Sequence, residues 1–256
     1  MKWPHLFEFM DQAWLPQGLR CTLREVLECG NSLPFRSYYR QVAEQAWQVV
    51  ADHGLTCVVE LGAGTAPVTR EMLKNAHEGV QFILCDRNPD ASAYRELAER
   101  YPQVTAPSEP IDFSLSHDWP RGTLLVLSAT LHHIPKQDRI QLVARLQRSA
   151  DCVIIAEPLR RTALSGAYVL GSIVPATLLP LVYLRRGGRL RRLLWCWLLP
   201  VAPLLFIWDG LVSCIRQWTE QQWLQVVRQW TGCEATILHS LCRQTVSLSS
   251  TPPRSK

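Results

Sequence analysis

The stretch Cys57-Val58-Val59-Glu60-Leu61-Gly62-Ala63-Gly64-Thr65 (CVVELGAGT) decides the reading of this 256-residue chain. An apolar run ends in an acid and breaks at two glycines set two apart, the pattern of a buried strand turning sharply into a helix. With no Cβ at Gly62 and Gly64, the backbone can turn tightly and come close to a ligand. The Thr65 hydroxyl is placed to cap the next helix, and Pro67 suits its first turn, where a missing amide donor costs little. Such a turn reads as a nucleotide-cofactor loop, with Glu60, Gly62, Ala63 and Gly64 as the candidate contacts. Purely structural loops carry Gly-x-Gly as well, so the reading depends on the strands that come after the loop in the chain.

Val80 to Asp86 (VQFILCD) is a second apolar strand ending in an acid, and a carboxylate there can accept two hydrogen bonds from a ribose diol. Dinucleotide oxidoreductases use the same device, but the third glycine of their G-x-G-x-x-G pattern falls here on Pro67. Gly122 to Ser128 (GTLLVLS) is a third strand, running into Ala129-Thr130-Leu131-His132-His133-Ile134-Pro135, and Asp151 to Glu157 (DCVIIAE) is a fourth. After Pro34, residues 35–52 form a helix with apolar positions Tyr39, Val42, Ala43, Ala46, Val49 and Val50, closed by Gly54. Thr219 to Trp223 offers a capped amphipathic start. Beyond Gly232, Glu234 to His239 and Thr245 to Leu248 suit two last strands.

As an ordered set over residues 55–160, these motifs resemble the class I S-adenosylmethionine (SAM) dependent methyltransferases, in particular the branch that methylates quinones and lipids. Val58 to Gly64 resembles their first motif, Asp86 the ribose-binding acid, and Leu131 to Pro135 the segment after the fourth strand. Ile111-Asp112-Phe113 is similar to the adenine motif, in which the Asp takes the exocyclic amine and the next backbone amide meets the ring. Ala66 stands where many members carry a third glycine. The resemblance implies an α/β fold, a Rossmann-like doubly wound seven-stranded sheet with a helical apolar hairpin inserted. It also implies SAM held by Glu60, Gly62, Ala63, Gly64, Asp86, Asp112, Phe113 and Ser128.

A sulfonium methyl is already activated, so aligning a nucleophile behind it can supply on the order of 7 to 11 kcal/mol. A positioned base adds roughly 10²- to 10⁴-fold. His132 or His133 is the candidate base for a hydroxyl acceptor, since imidazole titrates near neutral pH; the alternative is that one of them packs or caps the helix starting near Lys136. Glu157 ends a strand at the same edge and is a second candidate, and Asp209 is expected at the substrate mouth. Glu60 is placed to balance the positive methionine portion or the loop amides. No metal is expected, because adjacent His132 and His133 have the wrong spacing for two ligands on one helix face. Nine cysteines without a C-x-x-C pair suit a reduced compartment. Two other functions stay open: a Rossmann-type NAD(P) oxidoreductase, disfavoured by Pro67, and a catalytically silent SAM-binding partner protein.

Between Pro158 and Asp209 lie seven arginines (160, 161, 185, 186, 189, 191 and 192) and no Asp, Glu, Lys or His. The whole chain is formally +5, so the basic character is local and the remainder, five minus seven, is −2. The arginines flank two apolar runs: Ala163 to Leu184 is long enough to span a bilayer, and Leu193 to Trp208 is short for one. Pro175, Pro180, Pro200 and Pro203 argue against straight helices. If both runs crossed, the Arg185 to Arg192 connection would lie opposite the cofactor domain, whereas arginine-rich loops and SAM both favour the cytoplasmic side. A shallow hairpin in one leaflet satisfies both demands, with Trp195, Trp197 and Trp208 in the interfacial belt and each arginine contributing about 1 kcal/mol among anionic headgroups.

The expected protein is therefore cytoplasmic, attached to the cytoplasmic membrane face, and acts on a hydrophobic small molecule or lipid; the alternative is a lid of buried helices. Nucleic acid is not an expected partner, because the arginines sit among leucines and glycines on an apolar hairpin rather than in a polar groove. Lys2, His5, Glu8 and Asp11 break any signal-peptide apolar core. The expected organisation is a helical segment (1–54), a SAM-binding core (55–162), the hairpin (163–208), a return to the core (209–248) and a disordered tail (249–256).

Overall fold

The computed structural model describes residues 6–12, 14–30, 36–75, 77–107, 109–115, 117–183, 187–228, 234–239 and 243–249. Pro34, Arg185, Arg186, Gly232 and nearly all of the expected tail lie outside them. The elements begin with α1 (Gln17–Gly30), α2 (Arg36–His53), β1 (Cys57–Leu61), α3 (Pro67–Met72), β2 (Gln81–Cys85), α4 (Ala91–Arg100) and β3 (Val104–Thr105). Next come β4 (Thr123–Ser128), α5 (Lys136–Ser149), β5 (Cys152–Glu157), α6 (Ala163–Gly171), α7 (Ile173–Val182) and α8 (Arg189–Leu193). The chain closes with α9 (Val201–Arg216), α10 (Glu220–Arg228), β6 (Glu234–His239) and β7 (Gln244–Ser249). Two compact units result: a sheet unit (Tyr38–Pro158 with Thr219–Lys256) and a helical unit (Met1–Ser37 with Leu159–Trp218).

The sheet unit holds seven strands in the order β3-β2-β1-β4-β5-β7-β6. The five strands from β1 to β5 pair in parallel, while β7 runs antiparallel to both β5 and β6. Every residue of β1, β4 and β5 is buried, as expected of parallel strands covered on both faces and read in sequence as unbroken apolar runs. The chain leaves β1 toward β2 on one side, and β4 and β5 fill the other, so the order reverses between β1 and β4. A crevice opens at the carboxyl ends of strands at such a switch point. The register Leu61↔Cys85 and Leu61↔Leu127 brings the ends of β1, β2 and β4 level there.

The strands match the sequence reading to within a residue or two at each end, except β3, whose two residues are too short for a periodic signal. In α2, Tyr38 is the buried aromatic and Tyr39 is only partly covered. Tyr38, Val42, Ala46 and Val50 repeat every four residues and share one helix face.

The helical unit corrects the expected boundaries. Leu19, Leu23 and Val26 of α1 form an apolar stripe that packs with Ala176 and Leu179 of α7, Cys196 and Ala202. The chain before Ser37 thus belongs with the insertion, α2 belongs with the sheet, and residues 209–216 continue α9 instead of returning to the core. The prolines are absorbed where they cost least. Pro175 falls in the first turn of α7, Pro203 in the first turn of α9, and Pro200 precedes α9; only Pro180 sits inside a helix. A π-helical turn (Leu194–Leu198) extends α8, and the chain then bends by 72° into α9 at the break holding Pro200.

Candidate functional site

The glycine loop leaves β1 through a run of left-handed backbone: Gly62 (φ +65°), Gly64 (φ +54°) and Ala66 (φ +56°). A Cβ on Gly62 would sit 2.6 Å from the side chain of Thr130, so the glycine is required by close approach as well as by φ. Gly62→Ala is expected to destabilise the sheet unit by about 2 to 4 kcal/mol through clash and strain together; a melting temperature equal to wild type would refute this. At Gly64 a Cβ would meet nothing within 4 Å, so the loop is open on that side.

Asp86, one residue past β2, holds this loop. Its Oδ2 accepts from the Gly64 amide at 2.8 Å and its Oδ1 from the Asn88 amide at 2.7 Å. Two acceptor sites remain on the carboxylate, which is partly exposed. The backbone carbonyl of Asp86 accepts from the Ile111 amide, tying the segment of Asp112 and Phe113 to the same edge. Asp112 Oδ1 accepts from the Ser114 amide and hydroxyl, and Arg87 Nη2 bridges both carboxylate oxygens at 2.8 Å. Partial burial works to raise its pKa, but these bonds outweigh it and hold the carboxyl below its ordinary range. The Asp112 carboxylate is therefore engaged by Arg87, and an adenine amine would share it. Phe113 is buried.

Glu60 takes the capping role expected of Thr65. The residue before α3 is Ala66, with no side-chain cap, and the buried Glu60 carboxylate instead accepts from the Val68 and Thr69 amides at 3.2 and 2.9 Å. A carboxylate suits the positive end of a helix. Burial nevertheless dominates and pushes its pKa up to about 7, against the pull of the bonds from Thr69 and Val68. Because the folded value lies above the unfolded one, this group's contribution to stability is complete below pH about 4.5 and is lost as pH rises through about 7. Glu60→Gln is expected to remove that pH dependence and to cost about 1 to 3 kcal/mol, since an amide NH₂ cannot accept from a backbone N–H. Urea unfolding between pH 5 and 8 checks it: a variant as pH-dependent as wild type overturns the assignment.

The neighbouring strand, β4, ends at Ser128, whose buried hydroxyl lies 3.0 Å from the Tyr38 hydroxyl. Burial, then the negative charge of Glu157, pushes the Tyr38 pKa well up, so this phenol stays neutral. Ala129 comes next at φ +51°, and with Ala66 it makes the pair of non-glycine residues at positive φ among those described. Both lie at the carboxyl edge of the parallel strands, and strain of this kind concentrates at functional sites. Thr130 Oγ1 donates to the Ser128 carbonyl.

The 3₁₀ turn Leu131–His133 then places His132 in the interior, with Nδ1 2.8 Å from Glu157 Oε2. Arg139, buried on α5, donates to the carbonyls of His132 (2.7 Å) and Ile134 (2.6 Å) and fixes the turn. His133 is exposed, its ring 4.2 Å from that of His132.

The structure thus brings Glu60, Gly62, Ala63, Gly64, Asp86, Asp112, Phe113, Ser128, His132 and Glu157 to the carboxyl ends of the parallel strands of one unit. It gives the two adjacent histidines different surroundings, burying His132 with a carboxylate partner and leaving His133 exposed. Asp209 is corrected: in the helical unit its carboxylate accepts from the Phe9 and Met10 amides at 2.7 and 3.1 Å, capping the turn Phe9–Asp11 rather than waiting for a substrate. Tyr38, Thr130 and Arg139 escaped the sequence reading. Arg139 had no signal, because it sits among the polar residues of an amphipathic helix.

No protein-family model matches the sequence, and no curated protein is similar to it at a significant level. Solved structures match the fold. The plantazolicin methyltransferase BpumL, in complex with SAH, aligns with a TM-score of 0.59 at 10% identity over 94% of this chain and 94% of its own. The fold is therefore shared with a solved methyltransferase structure. The CurJ carbon methyltransferase aligns at 0.54 and 12% identity over 84% of this chain and 54% of its own. LaPhzM aligns at 0.51 and 18% identity over 83% and 55%. The chain therefore spans about half the length of the latter two, and at these identities the likeness is one of architecture.

Proposed function

We propose that the protein is a SAM-dependent methyltransferase whose acceptor is a hydrophobic small molecule or lipid. The observation that carries this reading is the Gly64 amide bonded to the Asp86 carboxylate, which joins the glycine loop and the acid after the second strand into one cradle. Its chemistry fits the cofactor: an open loop at Gly64, a carboxylate with acceptor sites to spare for two hydroxyls, and the adjoining Asp112 and Phe113 for the adenine. SAM would supply a methyl group already activated on sulfonium. Asp86 would orient the ribose, and the Gly62 to Gly64 backbone and Glu60 would hold the methionine portion.

His132 is read as the base. The Glu157 carboxylate accepts from Nδ1–H, which selects the tautomer with an unprotonated Nε2, the atom that would hold the proton of an acceptor hydroxyl. The same carboxylate then stabilises the imidazolium. The antiparallel β7 between β5 and β6 departs from the strand pattern of dinucleotide oxidoreductases and weighs against that alternative.

The test is incubation with methyl-labelled SAM and fractionated lipid and small-molecule extracts. Label in an extractable species is the expected result. SAM binding by calorimetry without turnover on any extract would favour a silent partner protein, and tight NAD(P) binding with no response to SAM would favour the oxidoreductase.

A further inference from the structure

Within the helical unit, α6 and α7 carry a line of exposed apolar side chains. Leu170, Val174, Leu178 and Leu181 recur at the spacing of one helix face and are 43–59% exposed. Trp197 Nε1 donates to the Thr177 carbonyl at 2.8 Å, which sets the π-helical turn beside α7 and adds Leu198, 75% exposed, to the same region. Leu204 of α9 is 58% exposed. The stretch Ala163–Val182 is long and apolar enough to cross a membrane, and only 28% of its most apolar window is buried. A core helix of a soluble protein would be mostly covered. An uncovered apolar surface of this breadth marks an interaction site.

The charges around it point to one kind of occupant. From Ala163 to Trp208 there is no Asp or Glu. Arg161 and Arg189 are exposed at the ends of the apolar runs. Arg191 and Arg192 correct the expectation that all the arginines serve the headgroups: both bond Glu25 Oε1, at 2.6 and 3.1 Å, and the fully buried Arg192 also donates to the carbonyls of Gly187 and Tyr183. A second copy of this surface would set arginine against arginine with no acid to meet them. An anionic lipid leaflet meets both the arginines and the apolar side chains.

We infer that this surface of the helical unit inserts into one leaflet of a bilayer that carries anionic headgroups. A full crossing is opposed by α1, which packs along α7 and would carry the exposed Arg24 and the Glu25–Arg191–Arg192 cluster into hydrocarbon. The 72° bend likewise lets α8 and α9 lie in an interface rather than form a second span. The exposed indole of Trp197 suits this depth, because its N–H is satisfied inside the protein. The inference does not depend on methyl transfer, and it can fail while the assignment of the sheet unit stands.

Flotation of the full chain with phosphatidylcholine vesicles, with and without phosphatidylserine, tests it. The protein is expected to float with the mixed vesicles. The variant Val174→Glu/Leu198→Glu/Leu204→Glu, changed at exposed positions alone, is expected to lose roughly a hundredfold in partitioning with an unchanged circular dichroism spectrum. Arg161→Glu/Arg189→Glu, which leaves the apolar surface whole, is expected to lose at least tenfold on phosphatidylserine vesicles and little on neutral ones. Wild-type protein that stays unbound with both vesicles, or a triple variant that floats as well as wild type, overturns the inference. So does a wild-type dimer in solution that the triple variant splits without any vesicle binding, which would assign the surface to a second copy.

Discussion

Asp86→Ala is expected to weaken SAM binding by roughly a hundredfold while the sheet stays folded. Hydrogen bonds to a charged group contribute about 1.5 to 3 kcal/mol each, and two ribose hydroxyls on one carboxylate therefore correspond to at least two factors of ten. The native carboxylate also holds the Gly64 and Asn88 amides, so the substitution frees the glycine loop as well as the sugar. Asp86→Asn separates these contributions. It keeps one oxygen for the Gly64 amide and lacks the charge and the second acceptor, so a loss of about tenfold is expected. Calorimetric titration with SAM reads both. Wild-type affinity in a folded Asp86→Ala variant would remove this residue from the site and, with it, the cradle on which the proposed function rests.

His132→Ala is expected to lower the rate of methyl transfer to a hydroxyl acceptor by 10²- to 10⁴-fold with SAM affinity unchanged, the effect of deleting a positioned base. Glu157→Gln keeps an acceptor for Nδ1–H but removes the charge that stabilises the imidazolium, so a smaller loss, about tenfold to a hundredfold, is expected. His133→Ala is expected to stay within a few-fold of wild type, because His133 is exposed and outside the pair. Single-turnover rates with saturating SAM distinguish the three variants. Wild-type rates in His132→Ala would leave alignment alone as the source of catalysis and would place the acceptor among those that need no base.

The glycine loop illustrates how far local sequence carries. Cys57 to Thr65 announces a buried strand, a sharp turn and a helix, and the structure has all three. Which group caps that helix was not legible there, because Glu60 reaches the Val68 and Thr69 amides only once β1 and α3 are packed together, and this leaves Thr65 without the role its type suggested. The same holds in α2, where Tyr38 and Tyr39 are identical in type and adjacent in the chain, and only the packed face selects Tyr38. The apolar runs from Ala163 to Trp208 were visible from composition, as were their prolines. That the partner of α7 would be the stripe on α1, far back in the chain, was not.

By itself the sequence determined what depends on near neighbours along the chain: the buried strands, the positions of the turns, and the acids and histidines that come after strand ends. Periodicity, glycine freedom and proline's missing donor are properties of a few consecutive residues, and they survive without knowledge of the rest. The tertiary structure alone decided the partnerships. His132 meets Glu157 across 25 positions, Arg192 meets Glu25 across 167, and Asp209 caps Phe9 across 200. Each joins polar groups whose burial is tolerable only when they are paired, and pairing at such separations is set by which elements the topology makes adjacent.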